Sequence, residues 1–417
     1  DLKSTATNLF NDYLLNSDHQ QKLSTVGYDN NYFQNLLINN VQDKADTKSR
    51  KRILESFEFF SAEFSKEEVS VDDILRWKDL IENAKITTDS VSDKAEATQL
   101  FTFQNDRGKD LTELEKLKSF LMFHLYLDCA KTEINPNNDI SYVEKEFEII
   151  YQSLELISIA DEDQVLNFHT IAFLSTDDTS LERVKKRLKK EENKSKWIKQ
   201  FIVVLKKSFQ SVVEIEKKYI YESSLGDVLY LDTYNSFPLV LKLFHFHQSH
   251  ELQKVLRLIE IILFKMLYTI GNYRTNRLHN IALDYNDDLV KLETSLIYHA
   301  NSGFKDYWNF TGDFISRLNA NSHYFKPTRD LLWQYENKLR FEIREPNMSY
   351  SDFVNIYGKR NLENTLDHWA PQKPQGLEYT QEFRDKFLNN IGNLVLSTRG
   401  RNSSDSNNLP TERETQS

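Results

Sequence analysis

This chain is poor in residues that break helices. Only 10 glycines and 7 prolines occur in 417 residues, and four of each type of breaker fall between Pro346 and Ser417. In a helix interior Gly costs about 1 kcal/mol and Pro about 3 kcal/mol relative to Ala, whereas a many-turned sheet depends on both. The chain before Pro346 therefore reads as long helices, and a change of composition marks a boundary near Pro346.

Periodicity supports this. Ile53, Phe57, Phe60 and Phe64 recur at helical spacing, as do Leu114, Leu117, Leu121 and Leu125. Thr112 and Glu115 make a capping-box pattern that places a helix start just after Asn105-Asp106-Arg107-Gly108. Hydrophobic residues make up 39% of the chain and aromatics 12%, enough to fill a core with large rings. At this length two or three domains are expected. The most apolar helix, Val255 to Ile270, carries Arg257, Glu260 and Lys265, so it reads as a buried amphipathic helix and not a membrane span.

Cys129 is the only cysteine, which excludes an internal disulfide and a cysteine-based zinc site and fits a cytoplasmic protein. The net charge of −10 argues against a generally basic nucleic-acid binder but leaves room for a local footprint.

The chemistry concentrates near the end. Asp367-His368-Trp369-Ala370-Pro371-Gln372 is followed by Asn393-Leu394-Val395-Leu396 and then Asn402. Asp367 and Asn402 offer hard oxygen ligands that suit Mg²⁺ or Mn²⁺, and His368 offers a base. Together they are the parts needed for in-line attack of water on a phosphodiester. Residues 365–369 and 393–396 read as paired strands. A helix entered through Ser397 to Asn402 would return Asn402 to Asp367. Because adjacent strand residues face opposite ways, Asp367 and His368 are expected to do different jobs.

This pattern resembles the HNH (His-Me finger) nucleases, including the HNH domain of RNA-guided CRISPR nucleases. The resemblance implies that Asp367 and Asn402 hold the metal, His368 activates water, and Asn393 steadies the loop bearing His368. Water attack would leave a 5′ phosphate. The departure is Trp369, where a smaller aliphatic residue is usual. A second resemblance lies upstream. Phe101 to Leu111, with Asn105, Arg107 and Gly108, resembles a signature of GmrSD-type restriction proteins. So do Tyr28 to Phe33, and the helix from Val255 with Tyr273 to Asn276 beyond it. Those proteins pair domain-of-unknown-function families 262 and 1524, the second carrying the HNH finger.

The resemblance implies a mainly α protein in three parts. Residues 1–130 would be the helical remainder of the first family's domain, 131–345 a helical middle region, and 346–417 a ββα-metal finger. It also implies an Asp-Gly-Gln-Gln-Arg nucleotide-binding domain, which is not in this sequence. Nucleoside triphosphate binding is therefore expected upstream of Asp1, in a chain cut at its N-terminus. The expected partner is foreign, modified DNA, in a restriction or phage-defence setting. A homo-oligomer stays open.

Other residues admit two readings. Nine basic residues lie between Arg183 and Lys199, among them Lys185, Lys186, Lys189 and Lys190. They either contact phosphates or form a solvated helix face. Arg399 and Arg401 either clamp the scissile phosphate or are surface charges at a helix start, where the dipole disfavours them. Asn105, Arg107 and Gly108 either touch a ligand or make a turn before the capped helix. His245, His247 and His250 suggest a metal cluster, but positions two apart do not share a helix face, so only the 247/250 pair could chelate, and with no carboxylate beside it a metal site is not expected there. The alternative to an active enzyme is a helical DNA- or protein-binding module whose finger is blocked by Trp369.

Overall fold

The structure, a computed structural model, describes residues 2–14, 21–25, 27–66, 68–85, 111–131, 137–270, 277–302, 310–323, 326–357, 366–374 and 377–397. It is mainly helical and divides into two compact units, residues 1–111 with 118–158, and 112–117 with 159–417.

The first unit holds α1 (Leu2–Leu14), α2 (Asn30–Leu37), α3 (Lys48–Phe64), α4 (Val71–Glu82), most of α5 (Glu113–Lys131) and α6 (Asn137–Glu155). Leu121 and Leu125 of α5 and Val143, Phe147 and Ile150 of α6 are fully buried. Thr47 caps α3 by accepting from Arg50 N–H at 3.2 Å. The start of α3 is tied to the end of α6, where Glu155 Oε2 accepts from Ser49 N–H at 2.6 Å. The stripe expected on α3 forms a helix but is not buried. Phe60 and Phe64 are 56% and 48% exposed.

The second unit contains α7 (Glu162–Phe173), α8 (Ser180–Lys189), α9 (Lys194–Lys218), α10 (Ser223–Phe246), α11 (Gln253–Ile270), α12 (Arg277–Asp284), α13 (Leu289–Ser302), α14 (Phe310–Leu318), α15 (Lys326–Glu342) and α16 (Tyr350–Tyr357). Then come β1 (Leu366–His368), α17 (Gln381–Lys386) and β2 (Leu394–Leu396). α10 lies at the centre and packs on α7, α9, α11 and α12. It is apolar almost all round, which suits a helix covered on every side.

α10 bends at Asp232, whose backbone is non-helical (φ −154°, ψ 87°). Asp232 then caps the second half of the helix, its Oδ1 accepting from Asn235 N–H at 3.2 Å. Pro238 follows inside that half and has no N–H to give to the Tyr234 carbonyl. His279 Nε2 lies 3.4 Å from that carbonyl and takes over as donor. At the other end of α10, Gly226 sits against the Tyr350 ring. A Cβ at 226 would overlap the ring, so glycine is what lets α16 approach here.

The only sheet among the described residues is the antiparallel pair β1–β2. Its register is Leu366↔Leu396, Asp367↔Val395 and His368↔Leu394. Two three-residue strands are too little to stand alone. They are supported by packing. Leu396 lies against the buried cluster of Trp333, Tyr350 and Phe353, together with Ile220 and Met348.

Candidate functional site

Leu366 and Leu394 are buried and anchor the hairpin, which places Asp367 and His368 at the end of β1. Both are buried, Asp367 at 9% exposure and His368 at 4%. Asp367 Oδ1 accepts from the His368 backbone N–H at 2.7 Å, fixing the carboxylate against the strand. Trp369, the expected obstruction, is 40% exposed. Its N–H donates to the Asn393 carbonyl at 2.8 Å, carrying the pairing one step beyond β1.

Asn393 closes the short 3₁₀ turn Ile391–Asn393 just before β2. Its side chain returns to the loop after His368. Oδ1 accepts from Ala370 N–H at 2.7 Å. Nδ2 donates to the carbonyls of Ala370 at 3.1 Å and Leu388 at 2.8 Å. One amide thus joins the two sides of the hairpin mouth, using all the hydrogen-bonding kinds an Asn has.

The His368 ring meets two further amides. Asn389 Oδ1 lies 2.9 Å from His368 Nε2, and Gln372 Nε2 lies 3.4 Å from the same nitrogen. The spacing of the motif gives neither residue a role, although Gln372 stands within it. Asn389 is held from outside the hairpin. Its N–H donates to Asn321 Oδ1 at 2.6 Å, and its carbonyl accepts from His323 N–H at 2.8 Å. His323 is fully buried, and burial lowers its pKa.

Asp367, His368 and Asn393 are therefore brought together. Asn402, Arg399 and Arg401 lie outside the described residues, as do the third element expected of a ββα finger and Asn105, Arg107 and Gly108. Among the described residues no three His, Cys, Asp or Glu side chains converge as a metal site. Of the two expected metal ligands, Asp367 is the one that falls among the described residues, and its carboxylate is a hard oxygen donor of the type Mg²⁺ or Mn²⁺ prefers.

The basic stretch is partly explained by local pairing. Lys185 pairs with Glu182 at 2.8 Å and Lys186 with Asp178 at 2.6 Å. Lys186, Arg187 and Lys189 lie in the last turn of α8, where the helix dipole favours cations. Lys189 and Lys190 are exposed. Arg183 is buried and caps the preceding loop, donating to the Asp177 carbonyl at 2.7 Å. Trp197 stacks on Phe201, with centroids 5.0 Å apart.

The three histidines near 245–250 go separate ways. His245 is buried between Phe173 and Phe246, and its pKa falls to about 4 through burial and then the charge of Lys207. His247 lies 3.0 Å from Asp287 and also bonds the Tyr285 hydroxyl. His250 is exposed.

Residues 315–416 match the family described as GmrSD restriction endonucleases, C-terminal domain. The C-terminal region is thus of GmrSD type. That stretch begins upstream of Pro346 and takes in Asn321, His323, α15 and α16 together with the hairpin. No curated protein and no solved structure matches the chain.

Proposed function

We propose that this chain is the DNA-cleaving part of a GmrSD-like restriction system, with Asp367 and His368 at the centre of an HNH-type site. The observation that carries the reading is the Asn393 amide. It holds the loop following His368 through two hydrogen bonds to Ala370 and ties it to the Leu388 carbonyl by a third, inside the stretch that matches a restriction endonuclease domain.

In this reading His368 takes a proton from the attacking water, whose oxygen then bonds to phosphorus. Asp367 would hold a divalent ion, with Asn402 as the second oxygen ligand. Bound Mg²⁺ or Mn²⁺ would supply charge stabilisation to the 3′ oxygen as its bond to phosphorus breaks. Arg399 and Arg401 would clamp the scissile phosphate. Lys189 and Lys190 are the better candidates for remote backbone contacts, since Lys185 and Lys186 already have carboxylate partners. Foreign, modified DNA is the proposed substrate, and dependence on a nucleoside triphosphate would come from a separate nucleotide-binding domain acting with these residues.

The test is a nicking assay on supercoiled DNA with matched metal-binding measurements. The parent should cleave with Mg²⁺ or Mn²⁺ and stop on chelation. His368→Ala should abolish cleavage with metal and DNA binding nearly intact. Asp367→Ala should weaken metal binding and cleavage together. Cleavage that survives chelation sinks the metal, and parent-like cleavage by both variants sinks the site.

A further inference from the structure

His368 Nε2 faces two amides that ask opposite things of it. The Asn389 carbonyl oxygen needs an N–H to accept from. The Gln372 amide nitrogen needs a lone pair to donate to. A neutral ring nitrogen has one or the other, never both. The Asn389 contact is 2.9 Å, the ordinary length of an N–H···O bond, and the Gln372 contact is 3.4 Å. The shorter contact is the one that an Nε2–H would make.

Asn389 is also the more firmly held of the two. Its N–H and its carbonyl are both engaged by the turn after α14, through Asn321 Oδ1 at 2.6 Å and His323 N–H at 2.8 Å. Asn321 Nδ2 further donates to the Arg384 carbonyl at 2.7 Å. Next along the chain, Asn390 Nδ2 donates to the Ala320 carbonyl at 3.4 Å. The 319–323 turn thus grips the strand-connecting segment at three successive points: Arg384, Asn389 and Asn390. A side chain on backbone fixed in this way holds its own position, which is what an orienting group requires.

We infer that Asn389 is a positioning residue that holds His368 as the Nε2–H tautomer, leaving the ring's lone pair on Nδ1, with the 319–323 turn as its mount. The role in catalysis rests on the nuclease reading above. There Nδ1 is the nitrogen that receives the proton as the water O–H bond breaks. The tautomer itself does not depend on that reading. Which nitrogen of a histidine carries the proton is set by the hydrogen bond the other groups make to it, and losing that control puts the lone pair in the wrong place.

The deciding measurement is long-range ¹H–¹⁵N NMR on the full chain with ring-labelled histidine. The His368 signals are identified by their loss in His368→Gln. The parent should show His368 as Nε2–H. Asn389→Leu, of similar size but without the acceptor, should lose that preference. Asn389→Asp keeps an acceptor and should restore it, and Gln372→Leu should leave it unchanged. In the nicking assay Asn389→Leu should lower kcat on the order of 10²-fold with KM for DNA unchanged, and Asn389→Asp should recover much of it. A parent ring protonated on Nδ1 overturns the inference without any variant, as does an Asn389→Leu ring that stays Nε2–H. A parent that shows Nε2–H and the Asn389 dependence yet never cleaves DNA upholds the positioning role and removes the nuclease reading alone.

Discussion

Replacing Asn393 by Ala tests the join that holds the candidate site together. The substitution removes three hydrogen bonds, one accepted from Ala370 N–H and two donated to the Ala370 and Leu388 carbonyls. A net value of about 1 kcal/mol each puts the full loss at about 3 kcal/mol. Asn393 is half-buried, so water replaces part of this, and about 2 kcal/mol is the expected cost. In urea unfolding this should lower the midpoint with the slope unchanged. The Ala370 amide should also exchange faster with solvent, because its acceptor is gone.

The chemistry should suffer more than the stability. The loop that moves follows directly on His368, and a misplacement of about 1 Å at a reacting group costs on the order of 10²-fold in rate. Metal affinity should hold, because the Asp367 carboxylate is fixed by the His368 N–H and not by Asn393. Asn393→Asp makes the sharper control. It keeps the acceptor for Ala370 N–H but turns a carboxylate towards two carbonyls, so it should cost at least as much as Ala. Unchanged Ala370 exchange in Asn393→Ala, or an Asp variant milder than Ala, would refute the reasoning.

Two further outcomes follow from the same unit. Asp330 is buried, and burial, then the charge of Glu260, opposed by Arg257, pushes its pKa up from 3.8 to about 7. A raised carboxyl contributes stability below its unfolded pKa and loses it as pH rises through the folded one. Asp330→Asn should therefore gain on the parent between about pH 4 and pH 7, by at most about 4 kcal/mol at pH 8, read by urea unfolding at several pH values. An equal gap at pH 5 and pH 8 would remove the titration argument. For the basic stretch, Lys189→Ala with Lys190→Ala should flatten the salt dependence of DNA binding by about 0.9 for each phosphate no longer neutralised, and Lys185→Ala with Lys186→Ala should change it less. An unchanged slope in the first pair returns the stretch to a solvated face.

The parts of the fold that depend on neighbours in sequence were legible. Thr112 and Glu115 form the capping box their spacing implies, with Thr112 N–H on Glu115 Oε2 at 2.9 Å and Glu115 N–H on Thr112 Oγ1 at 3.2 Å. Leu114, Leu117, Leu121 and Leu125 are all fully buried. The strand pair lies within a residue of its expected limits on the described side. Burial on α3 was not legible. Periodicity sets which face is apolar, but whether anything covers it depends on the rest of the fold. The bend of α10 at Asp232 was missed for a related reason, since a capping Asp inside an apolar run looks like an isolated polar residue. Asn389 could not be read from local pattern. Its mount, Asn321, is 68 residues away, and only folding brings the two together.

The same distance explains why the β1–β2 hairpin cannot be considered apart from the helices before it. Two strands of three residues bury too little to hold a histidine in one orientation. What holds them is Leu396 against Trp333, Tyr350 and Phe353 on one side, and the 319–323 turn gripping Arg384, Asn389 and Asn390 on the other. Trp333 and that turn lie upstream of Pro346, where composition alone would divide the chain, and both supports lie within residues 315–416. A fragment cut at Pro346 would keep Asp367, His368 and Asn393 but lose Trp333, Asn321 and His323. The proposed metal ligand and the proposed base would survive in sequence while the groups that hold the hairpin were gone. The working unit is therefore the hairpin with α15, α16 and the turn after α14, and its chemistry belongs to that packing as much as to the motif.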